Sequence, residues 1–138
     1  MSFYTLLYQS RATVTVTPDL LADILDTARF YNRAHQVTGL MLYRDGCFVQ
    51  LLEGARAGVE VLFEAICRDP RHGAITILSE GVYPRRHMPA WDMGFSSPGG
   101  SDLRLRQRED FIAVETARLQ CETLPTPLRT ALLPYFAD

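Results

Sequence analysis

A short apolar strand that carries one amide side chain constrains this sequence more than any other feature. Residues 47–54 form an apolar run, and strand alternation places Phe48, Gln50 and Leu52 on one face. The Gln50 amide has donors and an acceptor that need partners. Leaving them unpaired inside the fold would cost roughly 1–3 kcal/mol. We therefore expect a polar group to meet Gln50 in the interior, supplied either by the protein or by a ligand.

A second polar side chain is predicted on a buried face of the first strand. Residues 3–8 place Tyr4, Leu6 and Tyr8 on the same side, with Tyr8 at the end of the strand. A buried phenol also seeks a hydrogen-bond partner. Tyr8 and Gln50 either bond each other as polar groups of an ordinary core or belong to a binding site.

The order of predicted elements is strand, helix, strand, strand, helix, strand, strand and then helices. Thr17 and Pro18 are typical of a helix start, with Thr17 as N-cap. Asp45 and Gly46 are typical of a hairpin turn. The later strands are predicted at 37–44, 47–53, 74–83 and 90–96. This βαββαββ order predicts an α+β fold, a ferredoxin-like sheet with two helices on one face, plus C-terminal helices.

The composition beyond the sheet predicts a separate C-terminal part. Residues 96–101 are rich in Ser, Gly and Pro, which is typical of a linker. Residues 102–122 are predicted as one helix and residues 125–136 as a further short helix. We therefore divide the chain into a sheet domain over 1–97 and a helical extension over 98–138, which we expect to serve output to a partner or oligomerisation.

The predicted helix over 102–122 has apolar residues on two sides. One side carries Leu105, Ile112 and Leu119, and the other carries Leu103, Phe111 and Val114. A helix of this kind either contacts both the open sheet face and a second subunit, or packs through one side only.

Size and composition limit the classes of protein. The chain has 138 residues and a net charge of −2, which favours a single domain without an electrostatic attraction to nucleic acid or membranes. Cys47, Cys67 and Cys121 lack metal-ligand or disulfide spacing, so we expect reduced core thiols and no metal. The basic groups at 85–87 and 104–108 are predicted to be solvated. We expect no signal peptide and no membrane-spanning segment, and thus a cytoplasmic protein.

Six segments occur in an order and spacing that make a specific pattern. They are residues 6–10 (LLYQS), 28–32 (ARFYN), 37–43 (VTGLMLY), 46–54 (GCFVQLLEG), 69–72 (DPRH) and 89–95 (PAWDMGF). With these segments the chain resembles the BLUF domain, a family of blue-light sensors that use flavin. The resemblance covers roughly residues 3–95.

The resemblance implies photochemical roles for side chains on several elements. Tyr8 would be the electron and proton donor, and Gln50 would relay between Tyr8 and the flavin. Asn32 matches the family's asparagine that holds the pyrimidine edge of the flavin. Trp91 and Met93 match the pair that responds to the switched glutamine. Because they are two residues apart on a predicted strand, we expect them to share a face, with either one nearest Gln50.

The resemblance also implies a binding slot for the cofactor. Apolar side chains of the two helices would sandwich the ring, and Asp69, Arg71 and His72 would lie near the ribityl and phosphate part. Asp69 and Arg71 alternatively pair with each other. Tyr31, Ala28 and Ala65 depart from the residues usual in the family and leave the form of flavin open, with FAD first and FMN or riboflavin as alternatives. The cofactor-binding residues predicted are Ile24, Ala28, Tyr31, Asn32, Gln50, Phe63, Ile66, Asp69, Arg71 and His72.

The function predicted from these residues is a photoreceptor without catalytic turnover. It would bind flavin non-covalently, form a dimer or larger homo-oligomer, and signal to a separate effector or regulator protein. The alternatives are a small flavin-dependent redox enzyme and a flavin-free interaction module on the same fold. The sequence shows no catalytic triad, metal cluster or phosphate loop, which counts against the enzyme. Tyr8, Asn32 and Gln50 count against the module.

Overall fold

One mixed sheet organises the computed structural model, which describes residues 2–98 and 103–137, apart from the side chains of residues 103 and 104. The described strands are β1 (Phe3–Ala12), β2 (Thr38–Arg44), β3 (Cys47–Gly54), β4 (His72–Tyr83) and β5 (Gly94–Ser96). Their order in the sheet is β4-β1-β3-β2-β5. β1 is antiparallel to β3 and β4, β2 is antiparallel to β3, and β5 is parallel to β2. The predicted α+β class and ferredoxin-like arrangement are confirmed.

Local signals in the sequence fix the ends of the first helix and the central hairpin. α1 spans Pro18–Ala34, and the Thr17 side chain accepts a hydrogen bond from the backbone N–H of Leu20 at 3.1 Å. α2 spans Arg56–Arg68. In the β2–β3 turn, Asp45 and Gly46 have φ of 51° and 81°, the left-handed backbone that a two-residue hairpin of this type requires.

Successive strand residues point to opposite sides, so the apolar strands of this sheet have two buried faces. Helices cover both of them. α1 and α2 cover one face, where Leu6, Tyr8 and Phe48 belong to a buried cluster. The opposite face carries Leu7 and Leu51. It is covered by α4 (Val114–Glu122), α5 (Thr126–Leu132) and a 3-10 helix (Leu133–Phe136). The predicted short C-terminal helix is thus present, and it belongs to the second core.

The last strand is shorter than the sequence pattern indicates. β5 contains only Gly94–Ser96, whereas the prediction began at residue 90. Before β5 the chain turns, with the Trp91 N–H donating to the Met88 carbonyl at 3.3 Å. A turn at this point removes strand alternation, so the expectation that Trp91 and Met93 share a strand face is wrong.

The prediction of one helix over residues 102–122 is also wrong. The structure has α3 (Leu103–Arg106) and then α4, separated by a segment that pairs with β5. The Phe95 N–H donates to the Asp110 carbonyl at 2.8 Å, and the Ile112 N–H donates to the Phe95 carbonyl at 2.7 Å. These backbone bonds replace those that a continuous helix would make at residues 110 and 112.

The broken helix places its apolar residues on different sides of the sheet. Leu105 joins the cluster beneath α1 and α2, whereas Cys121 joins the cluster on the opposite face. Leu119 is 51% exposed and packs into neither. Within one chain α4 therefore packs through one side, and contact of its other side with a second subunit stays a prediction. Parts of the predicted linker and the Leu103 side chain lie outside the described residues, and the division at residue 97 stays a prediction.

Three further predictions concerned the cysteines, a metal site and a membrane-spanning segment. Cys47, Cys67 and Cys121 are free, but only Cys121 is buried, so the prediction of core thiols fails for exposed Cys67 and half-buried Cys47. Among the residues that the structure describes, no three His, Cys, Asp or Glu side chains lie together in a way that could hold a metal ion. Within residues 2–98 and 103–137, no helix combines the length and apolar character needed to cross a membrane.

Candidate functional site

A cavity of about 260 Å³ lies between α1 and α2, above the strands β2 and β3. Ile24 and Ala28 form its wall on α1, and Ile66 belongs to the wall on α2. Gln50 of β3 borders it from the sheet. The lining residues are Ile24, Thr27, Ala28, Tyr31, Asn32, Met41, Gln50, Leu62, Ala65, Ile66, Asp69, Arg71 and His72. An apolar slot between two helices with a few polar groups at its edge suits a flat aromatic ligand.

A chain of three buried side chains runs along the sheet side of this cavity. Tyr8 and Gln50 are partners in the β1–β3 register, and the Tyr8 hydroxyl donates a hydrogen bond to Gln50 Oε1. Gln50 Nε2 in turn donates to the Met93 sulfur at 3.5 Å. Exposure of the three is at most 2%. The polar partners that the sequence requires for Gln50 are therefore protein groups, while Gln50 still borders the cavity.

Burial decides the protonation state of Tyr8. Removal from water disfavours the charged form and raises the pKa of the phenol well above its ordinary value. Cys67, when its thiol ionises, and the negative charge of Asp69 act in the same direction. Tyr8 is therefore a neutral hydrogen-bond donor at any physiological pH. It does not itself line the cavity and meets it through Gln50.

Asn32 is buried in the last turn of α1 and connects the cavity to the chain before β5. Its Nδ2 donates a hydrogen bond to the backbone carbonyl of Asp92. Among the described residues no group bonds the Asn32 amide oxygen. That oxygen can accept a hydrogen bond from a ligand, and the amide retains a second N–H for donation.

Asp69 and Arg71 form a close pair at the cavity beyond the end of α2. Arg71 Nη2 lies 2.7 Å from Asp69 Oδ2, and Arg71 Nε lies 3.0 Å from both carboxylate oxygens. Burial opposes ionisation of Asp69, but the hydrogen bonds from Arg71 hold its pKa below the ordinary value. Asp69 and Arg71 thus pair with each other, as one of the two interpretations expected. Asp69 bonds Nε and Nη2 of the guanidinium and leaves Nη1 available for another acceptor.

His72 is a neutral polar group in the same cavity. Its Nδ1 lies 2.9 Å from the Ser10 hydroxyl, and its ring meets Phe48 edge to face at a centroid distance of 5.0 Å. Burial lowers its pKa, while Asp69 raises it and Arg71 lowers it. The imidazole therefore carries one N–H and one acceptor nitrogen near neutral pH.

Nine of the residues predicted for cofactor binding line this cavity, and Phe63 is the exception. Its ring packs against Tyr8 at a centroid distance of 5.4 Å, outside the lining. One residue along a helix turns the side chain by about 100°, so Leu62 and Ile66 face the cavity and Phe63 does not. Thr27, Met41 and Leu62 also line the cavity and were not predicted, and the lining includes Ala65, which the sequence marked only as a departure from the family. The hairpin register could have identified Met41, since a turn at Asp45–Gly46 places it opposite Gln50.

Met93 and Trp91 have different environments. Met93 is 1% exposed and belongs to the cluster under α1 and α2. Trp91 packs against the cluster on the opposite face of the sheet. Its ring lies so close to Gly94 that a Cβ there would come within 2.9 Å of a ring carbon. Met93 is therefore the residue of this pair that contacts Gln50.

A buried carboxylate holds the beginning of the segment that leads to these two residues. Glu53 is 0% exposed, and its oxygens accept hydrogen bonds from the backbone N–H groups of His87 at 2.7 Å and Met88 at 2.6 Å. Arg86 donates to the carbonyls of Glu53 at 3.0 Å and Gln36 at 2.7 Å. The prediction that residues 85–87 are merely solvated is therefore wrong for Arg86 and His87.

The prediction that the basic residues at 104–108 are solvated is wrong for Arg108. Its guanidinium lies between Asp26 of α1 at 2.6 Å and Asp110 at 2.9 Å, and its side chain is 18% exposed. The hydrogen bonds that Arg108 donates to Asp110 and Asp26 raise its pKa further above the ordinary value, although burial opposes the charge. Arg106 is exposed, as predicted, and the Arg104 side chain lies outside the description.

Comparison with known proteins agrees with this geometry. The BLUF family, described as sensors of blue-light using FAD, matches residues 3–94. The blue light- and temperature-regulated antirepressor BluF of Escherichia coli (strain K12) is 32% identical over 108 residues, which are 78% of this chain and 26% of that protein. The chain thus spans about a quarter of the length of this relative.

Two solved structures share the fold over nearly the whole chain. The dark-state structure of the BLUF protein BlrB gives a TM-score of 0.71 at 28% identity, covering 96% of this chain and 92% of that one. The structure of Klebsiella pneumoniae BlrP1 with FMN and cyclic diGMP gives a TM-score of 0.72 at 26% identity. The match covers 99% of this chain and 35% of that one. With the family match over residues 3–94, this chain belongs to the BLUF family of flavin-dependent blue-light sensors.

Proposed function

We propose that this chain holds one flavin non-covalently in the cavity between α1 and α2 and reports blue light through Tyr8, Gln50 and Met93. The observation that carries the proposal is the buried hydrogen-bond chain from the Tyr8 hydroxyl through Gln50 to the Met93 sulfur. Gln50 belongs to this chain and to the cavity lining at once. A change at the ligand can therefore alter the bonds of Gln50 directly.

The residues of the cavity fit a flavin. Ile24 and Ala28 on one side and Ile66 on the other give apolar surfaces for a planar ring. Asn32 offers an amide at the edge of the slot, which can pair with the polar edge of the ring. A bound flavin would supply absorption of blue light and reversible uptake of an electron and a proton.

The chemistry of the amide explains how Gln50 can switch. In the structure Oε1 accepts from Tyr8 and Nε2 donates to Met93. Reversing the amide, or converting it to its tautomer, exchanges donor and acceptor at nearly constant volume. A thioether sulfur accepts hydrogen bonds but cannot donate them. The reversed amide would therefore lose its bond to Met93, which gives the protein a way to register the change.

We further propose that the flavin is FAD, with FMN and riboflavin as alternatives. The family description names FAD, and the similar BlrP1 structure holds FMN. Arg71 and His72 would lie near the part of the cofactor beyond the ring. Arg71 could offer Nη1 to a phosphate while keeping its pair with Asp69.

The output that we propose is association with a separate effector or regulator protein, without catalysis by this chain. The support is by analogy, since the similar protein BluF is described as an antirepressor. A homo-oligomer and a cytoplasmic location are part of the same proposal. We also propose that residues 98–138 carry the signal, because α4, α5 and the 3-10 helix within this range cover the sheet face opposite the cavity.

An absorption spectrum of the purified protein in darkness and after blue light tests this function. We expect a yellow protein with one flavin per chain, and a small red shift that decays in darkness. High-performance chromatography of the released cofactor identifies the flavin. A colourless protein that takes up none of riboflavin, FMN or FAD would contradict the proposal. A flavoprotein that is bleached by light without a red shift would favour a redox enzyme instead.

A further inference from the structure

Asp92 ties the segment before β5 to α1 by two separate groups. Its backbone carbonyl accepts a hydrogen bond from Asn32 Nδ2. Its carboxylate Oδ2 accepts from Arg33 Nε at 2.6 Å. Asn32 and Arg33 are consecutive residues of α1, so one turn of this helix holds both the main chain and the side chain of Asp92.

The residue before Asp92 is held by a different element. The Trp91 carbonyl accepts a hydrogen bond from the Gly39 N–H of β2 at 3.0 Å. Two consecutive carbonyls are thus fixed, one to the sheet and the next to α1. Met93 follows immediately, and its sulfur lies 3.5 Å from Gln50 Nε2. The place of that sulfur depends on where α1 holds Asp92.

We propose that Asp92 is a positioning residue for the contact between Met93 and Gln50, and that its ion pair with Arg33 sets how fast the light-switched state returns. The inference rests on the proposed function and adds residues that touch neither the cavity nor Gln50. Asn32 lines the cavity and also bonds the Asp92 carbonyl next to Met93. A ligand in the cavity can therefore affect the position of Met93 through α1.

The exposure of the pair sets the size of the expected effect. The Arg33 and Asp92 side chains are 60% and 40% exposed. Solvent-exposed ion pairs contribute little, which corresponds to about a two- to fivefold effect on an equilibrium or rate. Such a pair is also screened by salt. Loss of the pair lets Met93 leave its position more often, and we expect the return to darkness to slow by that factor.

Methyl NMR of the flavin-free protein tests the placement without any photochemistry. Asp92→Asn and Arg33→Gln each remove the ion pair and keep the Asp92 carbonyl. We expect both to shift the Met93 methyl resonance in the same direction. Met88 is buried on the opposite face of the sheet and serves as the internal reference.

The flavin-loaded full chain tests the effect on the switch. Asp92→Asn, Arg33→Gln and the double variant should slow dark recovery by one common factor, because removing either partner already removes the interaction. Exchanging the two residues, Arg33→Asp with Asp92→Arg, should restore part of the rate. Glu60→Gln is the matched control. It breaks an exposed pair of the same 2.6 Å length between Arg56 and Glu60 on α2.

The outcomes separate this inference from the proposed function. If the unaltered protein binds flavin and switches, but both single variants recover at its rate with an unmoved Met93 resonance, the role of Asp92 is refuted. Effects of the two single variants that simply add in the double variant would refute the coupling. An unaltered protein that shows no light response would overturn the proposed function, and the role in recovery with it.

Discussion

Met93 and Trp91 are separated by a single residue, yet they pack against opposite faces of the sheet. Met93 meets Gln50 beneath α1 and α2, whereas Trp91 packs with the cluster that α4 and α5 cover. The segment from Met88 to Gly94 therefore passes from the face with the C-terminal helices to the face with the cavity. Gln120 of α4 contacts the residue just before this segment, donating to the His87 carbonyl at 3.0 Å.

This arrangement predicts different effects of substitutions at the two positions. Met93→Ala removes the acceptor for Gln50 Nε2 and should change the size of the red shift and the recovery rate. Trp91 packs on the sheet face opposite the cavity. Trp91→Phe should therefore leave the red shift nearly unchanged while altering light-dependent association. Light–dark difference spectra and light-scattering measurements of mass check this. Identical spectral changes in the two variants would contradict the division.

Removal of either end of the Tyr8–Gln50 bond should abolish the switch. Tyr8→Phe leaves Gln50 Oε1 without its donor inside the protein, at a cost of about 1–3 kcal/mol in the free energy of unfolding. We expect both Tyr8→Phe and Gln50→Ala to bind flavin and to show no red shift. Tyr43→Phe is the control, since the Tyr43 hydroxyl bonds the Gly46 N–H in the hairpin turn. A normal red shift in Gln50→Ala would refute the relay.

Asn32→Ala should weaken flavin binding more than it alters the photochemistry of the bound fraction. The variant removes a directional contact worth about 1 kcal/mol, which corresponds to about a fivefold rise in Kd. It also frees the Asp92 carbonyl from α1. Equilibrium titration of the flavin-free protein with FAD and FMN measures the change. Equal weakening by Met93→Ala would show that Asn32 has no special part in binding.

Acid should destabilise the fold through His72. Burial lowers the His72 pKa below its ordinary value of 6.5, so the unfolded chain binds the proton more readily than the folded one. The contribution of His72 to stability is present above pH 6.5 and is lost as the pH falls through the lower pKa of the folded state. Asp69, with its own lowered pKa, adds a similar loss at more acidic pH.

Urea unfolding between pH 7 and 5 measures the His72 effect. We expect the free energy of unfolding to fall over this interval in the unaltered protein and to fall less in His72→Asn. Leu119→Ala, an exposed substitution without a titratable group, is the control and should keep the unaltered pH dependence. A pH dependence in His72→Asn as steep as that of the unaltered protein would assign the acid sensitivity to other groups.

The C-terminal helices should prove necessary for stability as well as for output. Leu128 is fully buried against the sheet, so Leu128→Ala should cost about 2–5 kcal/mol in the free energy of unfolding. Leu119→Ala on α4 is the matched control, because that side chain is 51% exposed and its loss should cost less than about 0.5 kcal/mol. Truncation after Pro98 would uncover Leu7 and Leu51. A truncated chain as stable as the full one would contradict this.

Signals carried by neighbouring residues were sufficient for much of the fold and for the centre of the candidate site. Thr17 and Pro18 predicted the start of α1, and Asp45 with Gly46 predicted the hairpin. An amide on an apolar strand face required a partner whatever the rest of the fold. These predictions succeed because caps, tight turns and alternation depend on residues close in sequence.

The predictions that failed depend on pairing between distant segments. Residues 110–112 bond the edge of β5 instead of continuing a helix, and the Trp91 carbonyl is held by the Gly39 N–H of the distant strand β2. Glu53 holds backbone groups 34 and 35 residues away, so residues 85–87 could not be recognised as its partners. Helical periodicity and strand alternation carry no information about such contacts.

The sequence alone therefore determined which elements form around the hairpin and that Tyr8 and Gln50 each lie on a buried strand face. Only the tertiary structure decided that Met93 is the partner of Gln50 and that Trp91 faces the other core. The physical reason is that the turn after Met88 and the bonds of Asp92 to α1 set the direction of each side chain. Both features depend on groups that the chain brings together only when α1, β2 and β5 have packed.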